Sequence, residues 1–118
     1  MKATVTLIVP CYNEEESLPI FYNAVCDVVR QLPDYGISLL LVNDGSKDGT
    51  LTVMRDLAAR DERVQYLSFS RNFGKEAAMY AGFCNAKGDY VAVMDADMQD
   101  PPSLLPEMLQ ILETGEYD

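Results

Sequence analysis

Two acids with one residue between them, Asp95 and Asp97, carry the most specific chemistry in this sequence. They follow a short apolar run, YVAVM at 90–94. In extended backbone two such side chains point the same way. Two carboxylates on one side repel each other unless a positive ion lies between them. A hard divalent cation, Mg²⁺ or Mn²⁺, suits such a pair, because it takes carboxylate oxygens and completes its shell with phosphates and water. Asp95 and Asp97 are therefore the candidate catalytic and metal-binding pair, and Gln99 adds an amide oxygen directly or through water. A plainer account makes these acids helix caps. Asp100 before Pro101 does fit an N-cap with proline at the first helical position, but that account leaves Asp95 and Asp97 unexplained.

Three other polar segments follow apolar runs in the same way: PCYNEEE (10–16), DGSKDGT (44–50) and SRNFGK (70–75). In the first, Tyr12 is placed to lie against a nucleotide base and Glu14 to accept from base or ribose. Glu15 and Glu16 read as first-turn acids favoured by the helix dipole. In the second, the glycines with Ser46 or Asp48 read as a turn capping a helix, while Asp44 remains to accept hydrogen bonds from a base edge. In the third, Arg71 and Lys75 either approach a diphosphate or hold neighbouring acids as exposed ion pairs of little energetic worth.

These segments need a frame that brings them together. TVTLIVP (4–10), ISLLLVN (37–43), the alternating stretch 64–69 and YVAVM (90–94) read as strands. Between them, helical spacing links Leu18, Phe21, Val25, Val28, Val29 and Leu32, with Pro33 closing that helix. Leu51, Met54, Leu57 and Ala58 mark a second helix. A third covers about 75–86, with Ala77, Ala78, Ala81 and Cys84 as a small-residue face, and a fourth covers 104–112. Four βα units with nearly continuous apolar strands predict an α/β fold, a doubly wound, mainly parallel sheet with expected strand order 3-2-1-4. Ligands of such sheets sit at the carboxyl ends of the strands, where the winding reverses. All four polar segments belong at that rim.

Bulk composition narrows the function. The chain has 118 residues, enough for one domain. Its net charge of −10, with nine Lys and Arg, argues against a nucleic-acid partner. There is no histidine, which excludes Ser-His and Cys-His nucleophile systems and His-based zinc sites. Cys11, Cys26 and Cys84 lack CxxC spacing and read as free thiols, with Cys26 and Cys84 as core packing. No apolar run reaches the roughly 18 residues that span a bilayer, and 5–9 is too short for a signal peptide. Neither a GxGxxG turn nor a GxxxxGK[ST] loop is present.

Taken together, VPCYNEEE (9–16), VNDGSKDGT (42–50), SRNFGKEAAMYAGF (70–83) and GDYVAVMDADMQDPP (88–102) resemble the family 2 glycosyltransferases, over residue 5 to the end. Within these they are most similar to the subgroup that loads sugars onto dolichyl or bactoprenyl phosphate. The resemblance implies a GT-A fold and a UDP-sugar or GDP-sugar donor. It places Pro10, Tyr12, Glu14, Asp44, Ala96, Arg71 and Lys75 with Asp95 and Asp97 around the nucleotide sugar, and Asp95, Asp97 and Gln99 on the metal. It implies inverting transfer to a polyprenyl phosphate, whose anionic phosphate needs no general base to attack. Residues 1–118 would then be the nucleotide-sugar-binding part of a domain that continues with an acceptor-binding half and membrane helices. The whole would act on the cytoplasmic side of a membrane. The isolated part is expected to be soluble, inactive alone and prone to self-association. Two alternatives remain: a family 2 transferase acting on a sugar hydroxyl, and a non-catalytic nucleotide-binding module.

Overall fold

The computed structural model describes residues 3–97 and 101–114. The elements run β1 (Ala3–Cys11), α1 (Ser17–Arg30), β2 (Tyr35–Asn43), α2 (Thr50–Arg60), β3 (Val64–Ser68), α3 (Lys75–Asn85) and β4 (Tyr90–Val93). A short 3₁₀ turn (Pro102–Leu104) then leads into α4 (Leu105–Thr114). All strand pairings are parallel and the order is β3-β2-β1-β4, as the alternation of strands and helices predicts.

Each face of the sheet is built by period-two alternation. Val5, Leu7 and Val9 of β1, with Ile37, Leu39 and Leu41 of β2, enter one core with α1, α2 and α4. The α1 stripe contributes Leu18, Phe21, Val25 and Val28, the spacing of one helix face. Phe21 and Leu18 are fully buried, and each such side chain contributes about 2 kcal/mol of transfer free energy.

Among the described residues the opposite face is covered by α3, through a small cluster of Ile8, Val42 and Ala78. Gly82 lets α3 approach β1 closely: a Cβ there would sit 2.4 Å from Ile8 Cγ2. The buried side of α3 is therefore the Ala78–Gly82 line. Cys84 falls outside it and is exposed, so the expected packing role for Cys84 is corrected: a run of small residues leaves the helix's rotation open, and Ile8 selects the narrowest pair. Cys26 is half-buried, with Sγ 3.8 Å from Arg63 Nη2.

Two boundary expectations shift as well. Pro102, not Pro101, opens the 3₁₀ turn, and Pro101 takes the capping position. Asp100 lies outside the described residues. Glu16 is the N-cap of α1 but makes no side-chain capping bond.

The ladders explain where a crevice opens. β1 and β2 stay paired as far as Cys11↔Asn43, whereas β1 and β4 stop at Ile8↔Val93, with Met94 N–H donating to the Ile8 carbonyl at 3.0 Å. Pro10 has no N–H to offer a strand beyond that point. The winding also reverses between β1 and β4, so a notch forms there beside residues 9–11.

Candidate functional site

A cavity of about 210 Å³ occupies this notch and is lined by Pro10, Cys11, Tyr12, Glu14, Asp44, Lys75, Asp95 and Asp97. Three polar segments and the paired acids thus converge on one rim. A larger cleft of about 710 Å³ lies toward the other end of the sheet, by Thr6, Ser38, Gln65 and Lys87. It lacks a group of acids, so the smaller cavity is the one with chemistry.

The β1–α1 and β2–α2 loops are laced together by side chains that cap each other's backbone. Asn13 takes φ +54°, a conformation asparagine tolerates better than most residues. Its N–H donates to Ser46 Oγ at 2.9 Å, and its Oδ1 accepts from Lys47 N–H at 2.8 Å. Glu14 N–H donates to Thr50 Oγ1 at 2.8 Å. Asp48 accepts from Thr50 N–H at 2.9 Å and from Glu15 N–H at 3.2 Å. Burial works against the charged Asp48 carboxyl, but its bonds from Thr50 and Glu15 outweigh it and hold the group below its ordinary value. Glu15 Oε1 accepts from Gly49 N–H at 2.7 Å, so this acid serves the start of α2 and not the first turn of α1. Ser46 serves Asn13 and leaves α2 to Asp48.

Asp44 is 3% exposed, and both its oxygens accept backbone N–H groups, from Phe73 at 2.8 Å and Gly74 at 3.1 Å. It therefore ties the β3–α3 loop to the end of β2 while still lining the cavity. Gly45 makes this closeness possible: its φ is +68°, and a Cβ would lie 2.1 Å from the Arg71 carbonyl carbon. Phe69 N–H donates to the Asn43 carbonyl at 2.9 Å, and Asn43 Nδ2 donates to Ser68 Oγ at 3.1 Å.

Asp95 and Asp97 sit beyond the end of β4, with Ala96 and Asp97 in a turn, so extended-strand alternation is not what aligns them. Met94 and Ala96 are buried in the main core and anchor the segment from below. Ala96 is not among the residues lining the cavity. Asp97 is exposed, and Asp95 Oδ1 accepts from Lys75 Nζ at 2.7 Å. Arg71 lies over the Phe73 ring, 4.8 Å from its centroid, and is not among the residues lining the cavity. Ser17 Oγ donates to Glu14 Oε2, and Tyr12 is 41% exposed at the rim. Gln99 lies outside the described residues.

The donor set fits a hard cation. Four carboxylates (Glu14, Asp44, Asp95, Asp97) and one ammonium (Lys75) line the cavity among the described residues. A diphosphate cannot enter such a field without positive charge. Burial, with Glu14 and Asp95 close by, pushes the Cys11 thiol up, so it stays protonated. Among the described residues no three acids or cysteines gather into a closed cage. Asp95 and Asp97 are oxygen donors of the kind that an open Mg²⁺ or Mn²⁺ site shared with phosphates would use.

The sequence profile described as Glycosyl transferase family 2 matches residues 6–118. Among curated proteins, the bactoprenol glucosyl transferase of Shigella phage SfV is 42% identical over 111 residues, 94% of this chain and 36% of that protein. The undecaprenyl-phosphate 4-deoxy-4-formamido-L-arabinose transferase of Pseudomonas fluorescens is 38% identical over 115 residues, 97% of this chain and 33% of that protein. The chain thus spans about a third of the length of these relatives. Among solved structures, a Pyrobaculum calidifontis mannosyltransferase in complex with GDP-Man and Mn²⁺ superposes with a TM-score of 0.65 at 27% identity, over 82% of this chain and 28% of that one. S. aureus TarS residues 1–349 superposes at 0.71 and 20% identity, over 93% and 32%, which is likeness of fold alone. These neighbours are GT-A glycosyltransferases, the architecture the sequence predicts.

Proposed function

Because this chain belongs to glycosyl transferase family 2, we propose that its protein moves a sugar, with inversion, from a nucleoside-diphosphate sugar to a polyprenyl phosphate. The observation that carries this reading is the notch at the winding reversal, lined by Asp95, Asp97, Glu14 and Asp44 with, among the described residues, one ammonium, that of Lys75. The relatives named for bactoprenol and undecaprenyl phosphate support the acceptor class.

The residues divide the work by position. Asp95 and Asp97 would hold the divalent cation, with Gln99 as a third ligand, and that ion supplies Lewis-acid charge to the departing nucleoside diphosphate. The proposal seats the diphosphate and its cation in this cavity. The base then extends past the rim, where Tyr12 offers an aromatic face and Glu14 an acceptor. Asp44 holds the β3–α3 loop, and through it Lys75, beside the diphosphate position. Pro10 keeps the notch open. Arg71 contributes from outside the cavity, through its guanidinium over Phe73.

No described helix is long and apolar enough to cross a membrane. The polyprenyl acceptor is a membrane lipid, so the proposal sets the full-length protein at a membrane surface, on the side that holds nucleotide sugars. Titration calorimetry with UDP-sugars and GDP-sugars, with and without Mn²⁺, tests the reading. Metal-dependent binding of one donor series is expected. Binding that needs no metal and survives Asp95→Ala with Asp97→Ala would overturn it.

A further inference from the structure

We propose that Lys75 is a built-in counter-ion that competes with the divalent cation for Asp95 and, once displaced, turns to the donor's diphosphate. This rests on the metal and donor reading above and adds a role for one residue within it. The ammonium lies 2.7 Å from Asp95 Oδ1. It is the one cation lining a cavity that carries four carboxylates, among the described residues.

Two features make the contact exchangeable. The Lys75 side chain is 57% exposed, against 23% for Asp95, so the cation is the mobile partner. It springs from the first position of α3, whose preceding loop is pinned by Asp44 through Phe73 and Gly74, so its base is fixed and an exchange needs only a movement of the side chain. A divalent ion bonds carboxylate oxygen at about 2.1 Å, so ion and ammonium on the same oxygen would lie about 4 Å apart with like charges facing. Occupancy of one disfavours the other. A diphosphate arriving with the metal supplies new anionic oxygens, and Lys75, already at the cavity wall, has a better partner there than a neutralised Asp95.

This exchange predicts opposite signs for two affinities. An exposed ion pair is worth a factor of about two to five, and Lys75→Met should tighten Mn²⁺ binding in the absence of donor by about that much. The same substitution should weaken nucleotide-sugar binding at saturating Mn²⁺ by about tenfold, through loss of a charge-assisted contact. Lys75→Arg keeps the charge and should stay close to wild type in both. Mn²⁺ binding by the full-length protein is read from the electron paramagnetic resonance signal of the free ion, and donor binding by calorimetry. Weakening of both affinities, or an unchanged Mn²⁺ affinity, overturns the exchange while leaving the metal site standing. If wild-type protein binds no Mn²⁺, the metal site itself fails and the exchange with it. Circular dichroism of each variant separates misfolding from either outcome.

Discussion

Asp61 and Asp95 are both acids that meet a cation, at opposite ends of the same sheet, and they are built differently. Asp61, just before β3, accepts from Tyr22 Oη at 2.6 Å, from Arg63 N–H at 2.9 Å and from the Arg63 guanidinium at 2.7 Å. Its side chain is 11% exposed. Asp95, among the described residues, meets the Lys75 tip at 2.7 Å from one oxygen, and that lysine is 57% exposed. The first arrangement satisfies a carboxylate with fixed, forked donors. The second neutralises one with a charge that can leave. A carboxylate held by an arginine, a tyrosine and backbone has nothing left for a ligand, whereas one held by an exposed ammonium is ready to exchange it. The contrast separates structural acids from functional ones better than their sequence spacing does.

The sharpest way to break the contrast is to disturb the frame under the functional end. Gly45→Ala forces a Cβ into the Arg71–Asn72 backbone at a positive φ, and should cost about 3 kcal/mol of stability and abolish donor binding with it. Thermal denaturation and calorimetry check both. Asp97→Ala should lower donor affinity in Mn²⁺ about a hundredfold while leaving stability within about 0.5 kcal/mol, since the residue is exposed. Asp61→Ala should do the reverse, costing about 2 kcal/mol in denaturant unfolding and leaving donor affinity unchanged.

The same site has a pH signature. The Arg63 guanidinium, with help from Tyr22, holds the Asp61 carboxyl well below its ordinary value. Its contribution is therefore complete above the unfolded value of about 3.9 and is lost as pH falls below that, through the lower folded value. Wild-type stability should drop more steeply than that of Asp61→Asn as pH falls below about 4, measured by urea midpoints across that range. Smallest of all, Tyr12→Ala should weaken donor binding about fivefold if the base rests on that exposed ring.

Much of this was legible in the sequence. Period-two apolar runs and helical stripes gave all four βα units. Parallel winding then placed the segments carrying Tyr12, Asp44, Lys75 and Asp95 on one rim. What stayed hidden were contacts whose partners leave no mark in the sequence. Asp44 reads as an acid free to meet a base, yet its oxygens meet the N–H groups of Phe73 and Gly74, which any residue could supply. Glu15 likewise reaches Gly49 on another loop. Asn13 was the missed residue with a usable signal, since asparagine in a tight turn tolerates positive φ and links backbones. Cys84 was misplaced because Ala77, Ala78, Ala81 and Gly82 allow several packing faces, and only the fit to Ile8 selects one.

The account's central claim is that Asp95 and Asp97 share a divalent ion with the donor's diphosphate. Anomalous diffraction from crystals of the protein grown with Mn²⁺ and a nucleotide sugar tests it most directly. A manganese peak within about 2.3 Å of an oxygen of each aspartate, with Lys75 turned from Asp95 toward the diphosphate, is the predicted result. A bound donor with no manganese between those carboxylates would contradict it.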